Sequence, residues 1–391
     1  MKIGLIHDLY SPIEQGSVGG EDNLVDLEAR LLLERGHEVK KIIRIFSGSQ
    51  RKVIHFVVSA TGRGLNPMNQ KELDDVDIIH TNNLSLVSGY AWLQKSKVPT
   101  VSSFHNYRPL CPIAIAWRDG STCFECHDKS SFMSIAHRCG GKLGILGAAR
   151  RGIFQTEEPE INHPNHLIFT SQKMADAYRA RSSISNFDIL PNPSRLKYIP
   201  GESNTMREVE PRGFLFAGRL TSEKGIIRLI EEWPEDEMLT IAGDGVLRAQ
   251  VQEMCSTRRN LIYHGPFSPK DPNFYKKFEG LIFPSLWLEG SPLVVIEAIS
   301  SGVPVIATET SSASELIEQS QCGVLIPHNF SEKDLSRSIH EIRRNHRIYQ
   351  ENGINSGQNE FSPDTWIKRL EVIFSKVIEN YSLNNRFQGS I

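Results

Sequence analysis

Two carboxylates separated by seven residues, Glu289 and Glu297, bracket the run Glu-Gly-Ser-Pro-Leu-Val-Val-Ile-Glu. The apolar residues just upstream, Leu281 to Phe283, read as a strand, and Pro292 suits the first turn of a following helix, where its missing N–H costs nothing. The backbone N–H groups from Leu293 onward would then point outward with the positive end of the helix dipole, which is an anion site. Glu289 falls in the loop and Glu297 about five residues into the helix, so both are expected to border one cleft. A second run, Gly218-Arg219-Leu-Thr-Ser-Glu-Lys224-Gly225, puts two cations at the exit of another strand. Two cations and a helix N-terminus suffice to hold a diphosphate without a metal ion. Taken singly, each of these residues also fits a plainer role. Glu289 and Glu297 would be solvated carboxylates, Arg219 and Lys224 would pair with Glu223, and Asp244 would serve its own turn.

A different chemistry is spelled by Cys111, Cys123, Cys126 and Cys139, which fall within one short stretch, while Cys255 and Cys322 stand apart. In a reducing compartment, four clustered thiols read more readily as a tetrahedral Zn²⁺ site than as disulfides. His127 and His137 are substitute ligands, an iron–sulfur cluster ranks behind zinc, and four unligated thiols are the plain alternative. Such a site would be structural. Between Lys129 and Thr156 there is no acidic residue, whereas Lys129, Arg138, Lys142, Arg150 and Arg151 interleave with Leu143, Ile145, Leu146, Ile153 and Phe154. This basic amphipathic segment fits either an anionic membrane surface or a solvated helix face.

The elements that must carry these residues alternate. Strands are expected at Ile3–Ile6, Val39–Phe46, Asp77–His80, Thr100–Phe104, His166–Phe169 and Asp188–Leu190. A second set follows at Phe214–Phe216, Leu239–Ala242, Leu261–Tyr263, Leu281–Phe283, Val303–Ala307 and Val324–Ile326. Strands spaced by helices of roughly 10–15 residues predict parallel sheets. The polar stretch 201–212 reads as a linker between two doubly wound α/β domains. A long tail helix, 363 to about 381, has Trp366, Leu370, Ile373, Phe374 and Val377 on one stripe. In such sheets ligands bind beyond the carboxyl ends of the strands. No strand exit reads GxGxxG, and the nearest run, Gly16-Ser-Val-Gly19-Gly20, has the wrong spacing, which weakens a dehydrogenase reading.

The run EGSPLVVIEAISSGVPVIA resembles the signature of retaining glycosyltransferases of the GT-B fold, glycosyltransferase family four (glycosyl transferases group 1). FAGRLTSEKG, LTIAGDGVL, LIYHGPFSP and LPNPS resemble further motifs of that family, in its order. The N-terminal half is similar more loosely, through its opening strand, the Gly19-Gly20 loop and SSFHNYRPLCP; a subset of the family carries a Cys-rich insertion here. The resemblance implies two Rossmann-like domains facing a central cleft. Residues 1–200 would form the acceptor-binding domain, with the insertion at about 106–141. Residues 201–362 would bind the nucleotide-sugar, and 363–391 would cross back to the first domain. Arg219 and Lys224 would bind the donor diphosphate, Glu297 the ribose hydroxyls, and Pro266-Phe267 the base. Glu289 would lie beside the donor sugar, the Gly290–Leu293 loop with Ser291 would give backbone N–H groups, and His105 and Gly20 would complete the donor pocket. The sequence departs from the pattern at Ser291-Pro292, where many members have Phe-Gly, and at Ser311-Ser312, where many have Gly-Gly.

The implied activity is transfer of a sugar from a nucleotide-diphosphate sugar, UDP-linked before GDP-linked, to a hydroxyl of a glycan or lipid-linked acceptor in bacterial surface polysaccharide synthesis. It would need no catalytic cofactor. Composition agrees with this. Lys plus Arg is 44 against Asp plus Glu 46, so a generic nucleic-acid binder is excluded. Residues 1–195 nevertheless hold 23 basic and 20 acidic side chains, which leaves the acceptor half locally basic. No apolar run approaches the roughly 18–20 residues that span a bilayer, and Ile3 to Ile6 is too short for a signal peptide core. A cytoplasmic protein, in peripheral contact with the inner face of the membrane, is expected. Two alternatives compete: another GT-B enzyme, such as a nucleotide-sugar epimerase, and a binding module built on a zinc ribbon. A phosphorylase would need a pyridoxal-phosphate lysine that no motif identifies. The zinc-ribbon reading leaves both α/β domains without a role.

Overall fold

The computed structural model describes residues 1–9, 20–45, 64, 66, 68–82, 84, 88–111, 113–130, 132–139, 159–196, 212–266 and 273–388. The chain divides into two units. One comprises Met1–Ala116, Cys123–Pro191 and Trp366–Ile391, and the other Trp117–Thr122 and Asn192–Thr365.

In chain order the strands before residue 192 are β1 (Lys2–Leu9), β2 (Glu38–Ile45), β3 (Ile78–Asn82), β4 (Thr100–Phe104), the two-residue pair β5 (Trp117–Arg118) and β6 (Ser121–Thr122), β7 (His166–Phe169) and β8 (Phe187–Ile189). The first unit is built on a parallel sheet of order β2-β1-β3-β4-β7-β8. Ile3, Leu5, Ile6 and every residue of β3 and β4 are buried, as a parallel sheet covered on both faces requires. The helix Gly20–Glu34 presents Leu24, Leu27 and Leu32 inward and stops before Gly36, whose φ of +83° ends it. The predicted strands match to within a few residues. The predicted stripe of the tail also holds: the helix Pro363–Gln388 buries Trp366, Ile367, Leu370, Ile373, Phe374 and Val377 in one core with Ile3, Leu32, Ile78, Val101, Ile168 and Leu190.

The second unit carries β9 (Phe214–Ala217), β10 (Leu239–Ala242), β11 (Leu261–Gly265), β12 (Gly280–Phe283), β13 (Val305–Thr308) and β14 (Gly323–Ile326) in the parallel order β11-β10-β9-β12-β13-β14. Strand order reverses between β9 and β12, and this is the switch point where doubly wound sheets bind ligands. Two apolar cores cover its faces. One forms around Leu215, Phe283, Ile296 and Leu316, the other around Phe216, Trp233, Phe330 and Ile339. The predicted linker 201–212 lies outside the described residues except for Arg212.

Candidate active site

Backbone contacts hold the exits of β9, β10 and β12 together. Gly218 N–H donates to Ala242 O at 3.0 Å, Leu220 N–H to Asp244 O at 2.9 Å, and Leu247 N–H to Leu220 O at 3.0 Å. A Cβ on Gly243 would stand 1.9 Å from Gly218 O, so the first glycine of Ala-Gly-Asp-Gly-Val is set by close approach. After β9 a 3₁₀ turn, Ser222–Lys224, closes on Gly225 at φ +70°, where a Cβ would meet Pro284 O at 2.1 Å. Leu286 N–H donates to Glu223 O at 2.8 Å and ties this turn to the β12 exit.

These contacts bring Lys224 to Glu289, across 65 positions of sequence. Glu289 is only 6 % exposed, and one of its oxygens, Oε1, accepts from Lys224 Nζ, from Ser285 Oγ at 2.7 Å and from Trp287 Nε1 at 2.7 Å. Lys224 Nζ also lies 5.6 Å from the ring centroids of Phe283 and Trp287. Neither residue is the solvated charge of the plainer reading, and Lys224 does not pair with Glu223. Arg219 does, at 3.5 Å, but its side chain is 61 % exposed, and such a contact is weak. The helix Leu293–Ser300 begins beside this pair in sequence. Pro292 stands at its cap, one residue before the first turn, and no side chain caps it. Asp244 Oδ1 accepts from Gly245 N–H at 2.8 Å, a local turn contact.

The loop Gly290–Leu293 is braced by the residues that depart from the family pattern. Ser291 Oγ accepts from Asn192 N–H at 3.0 Å and Ser291 O accepts from Asn192 Nδ2 at 2.8 Å. Ser312 Oγ donates to Gly290 O, and Ser311 Oγ accepts from Ala313 N–H at 3.1 Å. Two hydroxyls thus supply rigidity to the loop, with Asn192 of the LPNPS run as the second brace.

Glu297 is not the solvated carboxylate of the plainer reading either. It is fully buried, its Oε1 accepts from Arg195 Nε at 2.6 Å and its Oε2 from Tyr275 OH at 2.8 Å. Burial pushes its carboxyl above the usual range, against the pull of Arg195 and the Tyr275 hydrogen bond. A ribose hydroxyl would have to share or displace one of these partners. Pro266 follows β11 directly and is exposed; Phe267 lies outside the described residues. In the first unit, Gly20 opens the helix Gly20–Glu34, and His105 follows β4 with Nε2 at 3.0 Å from Asn82 Oδ1.

The four clustered cysteines are free thiols. They share one neighbourhood. Burial, and then the charges of Cys111, Cys139 and Cys123, push the Cys126 thiol up to about 12. Among the described residues, no three His, Cys, Asp or Glu side chains are grouped so as to hold a metal ion. The histidines named as substitute ligands face carboxylates. His137 Nε2 lies 2.7 Å from Glu125 and His127 Nδ1 3.3 Å from Asp128. The side-chain bonds from Lys129 and His137 hold the Glu125 carboxyl down at about 2. Of the basic segment, Lys129 donates to Glu125 at 2.8 Å, while Lys142 to Thr156 lie outside the described residues.

Comparison with known proteins fits this geometry. Residues 204–359 match the family described as glycosyl transferases group 1. The chain is 23% identical over 354 residues, 81% of its length and 87% of the relative's, to a 42.6 kDa protein of the cps region of Klebsiella pneumoniae. It is 26% identical over 195 residues, 46% of the chain and 48% of the relative, to a putative teichuronic acid biosynthesis glycosyltransferase, TuaC, of Bacillus subtilis. In fold it is similar to the crystal structure of HepE from Anabaena in complex with UDP, with TM-score 0.60 and 16% identity, over 96% of this chain and all of that one. Residues 204–359 thus carry the match to the glycosyl transferases group 1 family, the chain has the GT-B fold, and it is a glycosyltransferase.

Proposed function

We propose that the protein transfers a sugar, with retention of configuration, from a UDP-sugar to a hydroxyl of a glycan or lipid-linked acceptor in surface polysaccharide synthesis. A GDP-sugar is the second donor. The observation that carries this reading is the Lys224–Glu289 pair at the β9/β12 switch point, with exposed Arg219 on the same strand exit. Cleavage of the anomeric C–O bond sends its electron pair to a diphosphate oxygen. Positive charge develops on the ring, the acceptor oxygen bonds to the anomeric carbon, and the acceptor proton leaves to the departing phosphate. Lys224, Arg219 and the start of the helix Leu293–Ser300 meet the growing negative charge, and oriented charges of this kind are usually the largest catalytic contribution. Glu289, held by three donors, is a fixed negative charge for the ring side. No metal ion is needed for these steps. His105 and Gly20 of the first unit are assigned to the sugar substrates.

The polysaccharide setting is supported by the descriptions of the Klebsiella and Bacillus relatives, and UDP by the Anabaena complex. No helix among the described residues is long and apolar enough to cross a membrane. Peripheral contact is assigned to the basic segment Lys129–Thr156, and sedimentation with anionic against neutral vesicles tests it. A structural zinc at the four cysteines is a separate proposal that requires the thiols to draw closer together than they stand here, and one zinc per chain in anaerobically purified protein is its expected result. The main test is incubation with a panel of nucleotide-sugars and NMR of the released sugar. UDP release from one UDP-sugar, with the α or β configuration of the donor kept, is expected. Release from none, or release with inversion, overturns the reading.

A further inference from the structure

The first unit buries a carboxylate that the reading above leaves without a role. Glu28, on the helix Gly20–Glu34, is 1 % exposed, and both its oxygens are engaged. Oε1 lies 2.5 Å from His80 Nδ1, and Oε2 accepts from Asn82 Nδ2 at 3.2 Å. An ionised carboxylate only accepts, so the Asn82 amide must present its NH₂ group to Glu28 and its oxygen to the other side. On that other side, 3.0 Å away, is His105 Nε2. An amide oxygen also only accepts. His105 must therefore carry its proton on Nε2, and in the neutral ring Nδ1 holds the lone pair.

Neither member of this chain of contacts is free to turn. Asn82 sits in β3 opposite His7 of β1 and Ser103 of β4, and its backbone oxygen is 3.1 Å from His7 Nδ1. His80 is fixed at its second nitrogen by Ser103 Oγ at 2.7 Å, and its ring stands edge-on to Phe374 at 5.3 Å between centroids. A single buried carboxylate thus orients one amide, and that amide selects the tautomer of a histidine which Glu28 does not touch.

We infer that Glu28 and Asn82 are positioning residues that hold His105 as the Nε2–H tautomer, with Nδ1 as its acceptor nitrogen. The assignment of a catalytic benefit rests on the reading of His105 as a substrate-facing group; the tautomer itself does not. Two-bond ¹H–¹⁵N correlation on protein labelled with ¹⁵N-histidine reads the tautomer directly, with the His105 signals identified by their loss in His105→Asn. The unsubstituted protein is expected to show the Nε2–H pattern, and an Nδ1–H pattern there overturns the inference without recourse to any variant. Asn82→Leu removes the acceptor, and is expected to admit the Nδ1–H form and to lower kcat about tenfold. An unchanged His105 pattern in Asn82→Leu overturns the inference. A changed pattern with unchanged kcat supports the positioning and overturns the substrate role of His105.

Discussion

The two sheets use the carboxyl ends of their strands in different ways. At the exits of β9 and β12 the second unit holds a cation against a carboxylate, Lys224 on Glu289, with a further cation, Arg219, left largely in solvent. At the exits of β3 and β4 the first unit holds one carboxylate among two histidines, an amide and a hydroxyl. The first arrangement controls charge and the second controls direction. Charge acts on a diphosphate through long-range attraction, whereas a sugar hydroxyl is recognised by which atom donates and which accepts. A glycosyl transfer needs both.

Breaking the scaffold behind the directional cluster should have the largest effect. Phe374→Ala removes the ring that packs on His80 and is expected to cost about 3–5 kcal/mol of stability, read by urea unfolding. Lys224→Ala and Arg219→Ala should each raise the barrier to transfer by about 2.7–4 kcal/mol, read as kcat/KM with the identified donor. Thermal unfolding separates the two. Lys224→Ala leaves Glu289 buried beside its neutral partners and lowers Tm, while Arg219→Ala leaves Tm unchanged. Unchanged turnover in Arg219→Ala would falsify its assignment to the diphosphate. The smallest effect concerns pH. Burial raises the Glu297 carboxyl above its unfolded value near 4.5, so the folded state binds that proton more tightly. Its contribution is present in full below pH 4.5 and is lost as pH rises through the raised folded value. Stability measured against pH should therefore fall across that window in the parent chain, and Glu297→Gln should remove that part of the slope.

Strands with both faces buried were readable locally. β7 at His166–Phe169, β10 at Leu239–Ala242 and β12 at Gly280–Phe283 fall where the apolar runs stand. The order of motifs singled out Glu289, Arg219 and Lys224, of which the fold brings Lys224 onto Glu289 and leaves Arg219 exposed at the same strand exit. Partnerships were another matter. Lys224 with Glu289, Arg195 with Glu297 and Glu28 with Asn82 depend on which strands become neighbours, and no local periodicity contains that. Trp287, two residues before Glu289, was the available signal for one of them, because a buried indole N–H usually finds an acceptor. The hairpin β5–β6 has two residues per strand, too few for a period to register.

The helix Pro363–Gln388 has a consequence for synthesis. β1 is synthesised before the helix that covers it, with residues 192–365 between them. Residues 192–365 can close their own cores while Ile3, Ile78, Val101 and Ile168 still lack Trp366, Leu370 and Phe374. Until that helix is made the apolar face of the nascent chain stays open, so it is where a chaperone would bind and where a stop codon upstream of residue 363 would do its damage.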